Sequence, residues 1–170
     1  MDQERPSARV SGIMDSLRRL VRELRVASRA AERELGISGA QLFVLQQLHE
    51  RPADSVNELS ERTHTHQSSV SVVVSRLVDR GLIIREPSEE DGRRMTLRLS
   101  AEGRKLLERA PRTVQSRLIE ALGRLPADVR TALASGLEAW TREAGISGEP
   151  APFFFEDERP SGPRGRRRGA

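Results

Sequence analysis

Between Ser55 and Leu99 the hydrophobic pattern changes its period from that of an α-helix to that of a β-strand. Apolar residues first recur at intervals of three and four, and Gly81 then ends the helical pattern. The runs 82–85 and 95–99 are typical of β-strands, and a charged turn connects them. This part of the chain therefore predicts a pair of helices followed by a two-stranded hairpin.

Capping residues indicate where the predicted helices begin. Ser38 is a suitable N-cap for one helix, which Arg51-Pro52 should end. Ser55 and Glu58 have the spacing of a capping box, and either Thr65 or His66 should open the next helix. The buried face of that helix is expected to comprise Val70, Val73, Val74 and Leu77.

Longer helical patterns flank this central part. One runs from Val10 to about Leu35, where Gly36 should end it. A second pattern starts at Ser100, is kinked or restarted at Pro111, and resumes after Pro126. The apolar stripe of the first helix needs a partner, which is either the chain's own helices or a second subunit.

Composition bounds the functions that this chain can have. Its 170 residues suit one domain, and no apolar stretch is long enough to span a membrane. The first residues lack the pattern of a signal peptide, so we expect a cytoplasmic protein. The absence of cysteine excludes disulfides, thiolate metal sites and cysteine nucleophiles. Since we find no phosphate loop, zinc-protease helix or nucleophile elbow, we expect neither an enzyme nor a cofactor.

The net charge of +4 is concentrated at the C-terminal end. The last twelve residues contain five arginines and no acid, so residues 1–158 carry a net charge of −1. Nucleic-acid binding by the body of the protein must therefore rest on where individual side chains point. The five arginines are Arg159, Arg164, Arg166, Arg167 and Arg168.

Two helices followed by a hairpin is the order of a winged helix-turn-helix, whose second helix enters the major groove of DNA. On the outward side of that helix we expect small and hydrogen-bonding side chains, and Val72 could contact a thymine methyl group. The candidate DNA contacts on this helix are Gln67, Ser68, Ser69, Ser71, Val72, Ser75 and Arg76.

Arg93 and Arg94 in the charged turn are candidates for wing contacts with DNA, although nearby acids could instead neutralise them in a solvated turn. His64 and His66 invite a metal hypothesis, but they are two residues apart and have no evident third ligand. We expect these histidines to contact phosphate or to pack in the turn, without binding metal.

Several segments together resemble the MarR family of bacterial transcription regulators. They are Leu59-Ser-Glu-Arg62, Gln67-Ser-Ser-Val70-Ser71, Ser75-Arg-Leu-Val-Asp-Arg-Gly-Leu82, Arg85, Asp91-Gly-Arg93-Arg94 and Leu99-Ser100-Ala-Glu-Gly103. The resemblance covers roughly residues 8–145, and the wing sequence followed by the helix start at Ser100 is its most specific part. It implies that Asp91 braces the wing and that Arg93 enters the minor groove.

The resemblance also implies a mainly α-helical homodimer with a β-hairpin wing and a ligand cleft. We expect dimerisation helices at about 8–36 and 101–145, flanking a DNA-binding region at about 53–100. The implied function is a sequence-specific regulator, a repressor released by a small-molecule effector, that binds a pseudo-palindromic operator in double-stranded DNA. Such a protein would be cytoplasmic and would associate with the bacterial nucleoid while bound.

Residues 146–170 are predicted to form a disordered tail with an arginine-rich end, which could add salt-sensitive attraction to DNA. The exception is Phe153-Phe-Phe155, since three exposed phenyl rings are costly and should dock on this subunit or its partner. The alternative function is a winged-helix module that binds another protein through its wing and these phenylalanines, without specific DNA binding.

Overall fold

The computed structural model describes residues 6–87, 95–146, 148 and 151–156. The mainly α-helical architecture with one β-hairpin is confirmed. No helix within the described residues is both long and apolar enough to cross a membrane. In chain order the elements are α1 (Pro6–Leu35), α2 (Gly39–Glu50), α3 (Val56–Thr63), α4 (Gln67–Asp79), β1 (Ile83–Pro87), β2 (Met95–Leu99), α5 (Ala101–Leu107), α6 (Val114–Arg124) and α7 (Ala127–Glu143).

Helix α2 contributes much of the hydrophobic core. Ser38 caps it as predicted, because its hydroxyl accepts a hydrogen bond from the N–H of Gln41 while the Gln41 side chain accepts from the N–H of Ser38. Gly36, with φ of +68°, ends the preceding helix in the left-handed conformation. The buried apolar residues of α2 are Ala40, Leu42, Phe43, Val44, Leu45 and Leu48.

Helix α3 begins with half of the predicted capping box. The Ser55 hydroxyl accepts from the N–H of Glu58 at 3.0 Å, as expected. The reciprocal half is wrong, since the Glu58 carboxylate accepts from the N–H of Asp54 at 2.7 Å. Glu58 also pairs with Arg51 at 2.5 Å, which draws its carboxylate past the cap toward the end of α2.

Helix α4 begins at Gln67 with His66 as its N-cap, and its predicted buried face is confirmed. The helix ends in a left-handed glycine, Gly81, also as predicted. The N–H of Gly81 donates to the carbonyl of Val78, and the N–H of Leu82 donates to the carbonyl of Leu77. Val70, Val73, Val74 and Leu77 are all fully buried.

The predicted hairpin is confirmed as an antiparallel pair in which Ile83 lies opposite Leu99 and Pro87 opposite Met95. Ala53, in the loop before α3, exchanges two backbone hydrogen bonds with Leu97 of β2, at 3.1 and 2.7 Å. The middle of β2 is thereby joined to the loop that precedes α3. The turn between the strands, residues 88–94, lies outside the described residues.

The C-terminal helices pack less deeply. Ser100 caps α5 by accepting from the N–H of Gly103 at 2.9 Å, and Pro111 lies in a break between α5 and α6. No residue of α7 is buried. Large apolar side chains are exposed along α1 and along the last two helices, and they include Val10, Ile13, Leu17, Leu20, Val21, Leu122, Val129, Leu133, Leu137 and Trp140.

Candidate nucleic-acid interface

The outward side of α4 presents a row of small polar side chains. Positions 68, 71, 72 and 75 follow helical spacing and lie opposite the fully buried valines. One face of α4 therefore packs in the hydrophobic core, and the other faces solvent. Val72, 46% exposed, is the large apolar side chain in this row. The exposed candidates are Gln67, Ser68, Ser71, Val72 and Ser75, while Ser69 and Arg76 are half-buried at the edge of the row.

Both ends of α4 are fixed to the rest of the fold. At the N-terminal end, Thr65 donates its N–H to the carbonyl of Ser60 in α3. At the C-terminal end, the Arg80 guanidinium donates to the carbonyl oxygen of Gly36 at 2.8 Å, in the turn between α1 and α2. The row of polar side chains is therefore held in a defined orientation relative to the long helix α1.

His64 and His66 lie exposed in the turn that leads into α4. His64 adopts the left-handed conformation with φ of +51°, which is uncommon for a residue with a Cβ atom. The His66 side chain makes no capping hydrogen bond to α4. In the part of the chain that the structure describes, no group of three or more histidine and acidic side chains is placed to hold a metal ion.

Arg76 is engaged by a residue distant in sequence. Its Nη1 lies 2.5 Å from Oε1 of Glu156, and the Arg76 side chain keeps 41% of its surface exposed. Glu156 itself is only 5% exposed. Its second carboxylate oxygen accepts a hydrogen bond from the Ser38 hydroxyl at 2.5 Å. The carboxylate is thus bound from two elements, the N-cap of α2 and the edge of α4.

The segment that carries Glu156, residues 151–156, is called the C-terminal strap. Phe153 anchors it, with its ring 3% exposed and packed edge-to-face on Phe43 at a centroid distance of 6.4 Å. Phe155 lies under the Arg25 guanidinium at 5.2 Å. The predicted docking of the phenylalanines on the protein body is therefore seen within this chain for Phe153. The alternative of an exposed aromatic patch for another protein is not favoured, although Phe154 is exposed.

The strap runs beside the candidate DNA contacts of α4. Pro152, Phe153 and Glu156 border one side of a cleft, and Ser68, Ser69 and Val72 border the other. The sequence predicted the row on α4 but not that a segment from the other end of the chain lies next to it. The signal in the sequence was the group of phenylalanines followed by acids, which indicated docking without indicating where.

The wing residues Asp91, Arg93 and Arg94 lie outside the described residues. Strands β1 and β2 lead to this turn, and an ion pair between Glu86 on β1 and Arg98 on β2, at 3.8 Å, connects them. Their roles remain predictions.

Arg62, the last residue of the Leu59-Ser-Glu-Arg62 motif, makes a specific set of contacts in the structure. Its guanidinium donates to the carbonyl oxygens of Gln47, Arg51 and Pro52, which links α3 to the end of α2. Burial lowers the pKa of Arg62 below its ordinary value, and the Glu58 carboxylate opposes that shift. In the sequence, the four-residue spacing between Glu58 and Arg62 indicated an ion pair on one side of a helix, but not the contacts of Arg62 with α2.

A second cleft lies between α1, α2 and the connection from α5 to α6. Its walls are largely aliphatic and small side chains, and the strap closes one end with two rings. The lining includes Leu24, Ala31, Ala40, Val114, Phe154 and Phe155.

The sequence of this chain is similar to those of known transcriptional regulators. A profile of the MarR family matches residues 35–94. An uncharacterized HTH-type transcriptional regulator of Mycobacterium leprae is 30% identical over 133 residues, which cover 74% of this chain and 93% of that protein. The HTH-type transcriptional repressor MdtR of Bacillus subtilis is 32% identical over 94 residues, which cover 55% of this chain and 61% of that protein.

The crystal structure of wild-type MarR from E. coli, in its apo form, has the same fold. It aligns with a TM-score of 0.50 at 21% identity, covering 81% of this chain and 98% of that chain. The near full-length match to the Mycobacterium leprae regulator, the family profile and the shared winged fold together show that this chain belongs to the MarR family.

Proposed function

We propose that this protein is a homodimeric transcriptional regulator that binds a pseudo-palindromic operator in double-stranded DNA. The observation that carries the proposal is the outward row on α4, in which serines and Gln67 offer donors and acceptors while Val72 offers an apolar contact. A row of this kind on a helix fixed at both ends can read base edges in the major groove.

The remaining contacts follow from the position of α4. His64 and His66, at its N-terminal end, are exposed where a phosphate of the duplex would pass. Arg93 would enter the minor groove, with Arg94 beside it and Asp91 bracing the turn. A narrow minor groove has an enhanced negative potential, which would let one arginine contribute without a basic domain.

The exposed apolar side chains of α1, α6 and α7 support a dimer. Val129, Leu133, Leu137 and Trp140 lie along one side of α7, where they would be unfavourable against water. A second copy packed on this face by two-fold symmetry would bury them and would place two α4 helices on one face of the assembly. Half-sites separated by about 34–36 Å, one turn of DNA, would then be read together.

The aliphatic cleft beside α1 is the place we propose for a small-molecule effector. Its walls come from the dimerisation helix α1 and from α2, so that a bound molecule could favour one arrangement of these elements over another. We propose that the protein is a repressor and that binding of such a molecule lowers its affinity for DNA and so relieves repression. We place this activity in the bacterial cytoplasm, on nucleoid DNA.

Footprinting and fluorescence anisotropy with the DNA upstream of the protein's own gene test the proposal. We expect one protected pseudo-palindrome and a specific affinity that survives competitor DNA. Ser71→Ala should weaken specific binding, whereas Ser135→Ala, an exposed serine of α7, should leave it unchanged. If an intact dimer gives no specific complex at any salt concentration with this DNA or with pooled genomic fragments, the proposal is wrong and a protein-binding module takes its place.

A further inference from the structure

The C-terminal strap occupies a built site on the DNA-binding region. Its Phe153 ring fills a position in the hydrophobic core against Phe43, so the strap is anchored at a defined point. The strap then turns back on itself, because the N–H of Glu156 donates to the carbonyl of Phe153 and Phe155 adopts a φ of +60°. This turn places the Glu156 carboxylate against α4.

The Glu156 carboxylate occupies the position that an anionic group would take at the edge of the reading surface. One oxygen pairs with Arg76 and the other accepts from Ser38, so both oxygens are bound in a largely buried site. Arg76 is the cation among the candidate contacts of α4, and a DNA phosphate would seek the same guanidinium. The carboxylate and a phosphate cannot both occupy that position.

The strap also narrows access to the row itself. Pro152 and Phe153 form one wall of the cleft whose other wall is Ser68, Ser69 and Val72. DNA approaching α4 from this side would meet a steric obstacle formed by Pro152 and Phe153.

We propose that the C-terminal strap is an autoinhibitory ligand of α4, which must leave Arg76 before the duplex is fully engaged. This inference rests on the proposed DNA binding. Docked and released forms of the strap would be in equilibrium, and only the released form would bind DNA with full affinity. If the released form made up about a tenth of the population, the apparent affinity would be about tenfold lower than the intrinsic one.

Glu156→Gln in the full-length chain tests the proposal. It removes the charge that holds Arg76 while keeping nearly the same shape. The matched control is Glu138→Gln, which removes the same charge from the side of α7 away from its apolar stripe, where Glu138 pairs only with exposed Arg142 among the contacts described. We expect Glu156→Gln to bind the footprinted operator about threefold to tenfold more tightly than Glu138→Gln at the same salt concentration.

Hydrogen exchange of the strap supplies a second readout. In the free protein the N–H of Glu156 should be protected, and this protection should be lost in Phe153→Ala and when operator DNA is added to the wild type. Equal affinities for Glu156→Gln and Glu138→Gln, or a strap that stays protected on DNA, would overturn the inference and leave the proposed function intact. Absence of specific binding by the wild type and both variants would instead refute the proposed function, and the inference with it.

Discussion

Gly103 lies so close to the carbonyl oxygen of Leu82 that a methyl group built on its Cα would be 2.2 Å from that oxygen. The same carbonyl accepts the N–H of Ser100, whose hydroxyl in turn accepts the N–H of Gly103. The start of α5 is thereby pressed onto the end of α4 and the base of the hairpin. Only a residue without a Cβ atom is accommodated there.

Gly103→Ala should therefore destabilise the protein by about 2–4 kcal/mol, because backbone atoms of two elements must move apart. Gly123→Ala is the matched control, since nothing lies within 4 Å of a Cβ built at that helical position. The control should be neutral or stabilising by up to about 1 kcal/mol. Urea unfolding monitored by circular dichroism measures both, and equal midpoints would contradict the close contact.

Arg62→Ala should lower the free energy of unfolding by about 2 kcal/mol or more. The substitution leaves the carbonyl oxygens of Gln47, Arg51 and Pro52 without their charged donor. Arg33→Ala, which removes an exposed arginine paired with Glu34, should cost about 0.5 kcal/mol or less. Thermal and urea unfolding of both variants make the comparison, and a loss in Arg62→Ala as small as that of the control would refute the linking role.

Leu133→Asp should break the proposed dimer. It places a charge in the apolar stripe of α7 twice in each assembly, which should raise the dimer dissociation constant by about 100-fold or more. Thr131→Asp adds the same charge on the opposite side of α7 and should leave the dimer intact. Sedimentation velocity over a range of concentrations reads the outcome, and a dimer that resists Leu133→Asp would exclude this face from the interface.

Arg93→Ala should weaken specific DNA binding by about tenfold while leaving the thermal midpoint nearly unchanged. In the proposed complex the substitution removes one guanidinium from the minor groove. Arg33→Ala again serves as the control for removal of one positive charge. Anisotropy titrations at two salt concentrations compare the variants with wild type. An affinity equal to that of the control would remove the wing arginine from the mechanism.

Helix starts could be predicted because capping is local. Ser38, Ser55 and Ser100 each accept from the N–H three residues later, which is the interaction that their spacing indicated. The outward side of α4 could also be predicted, since the period of its valines fixes both faces at once. The carboxylate of Glu58 could not, because its choice between two neighbouring N–H groups was decided by an ion pair with Arg51.

The environment of Arg76 could not be predicted from the sequence. Its partner Glu156 is 80 residues away along the chain, and the second partner of that carboxylate, Ser38, is 118 residues from it. In the sequence, Ser38 is already explained as a helix cap and Arg76 as an outward side chain of α4. Neither residue therefore indicates that a carboxylate lies between them. The packing of Phe153 on Phe43, which no local pattern indicates, helps to hold the carboxylate there.

The hydrogen bond from Arg80 to Gly36 allows a small tilt of α1 to produce a larger displacement of α4. A helix of 30 residues is about 45 Å long, and this bond attaches its C-terminal end to the end of α4. A tilt of about 5° around the far end of such a lever would carry α4 by about 4 Å, slightly more than the 3.4 Å rise of one base pair. In the proposed dimer, a rotation of a few degrees at the subunit contact would thus be enough to move the two α4 helices out of register with the successive major grooves of the duplex.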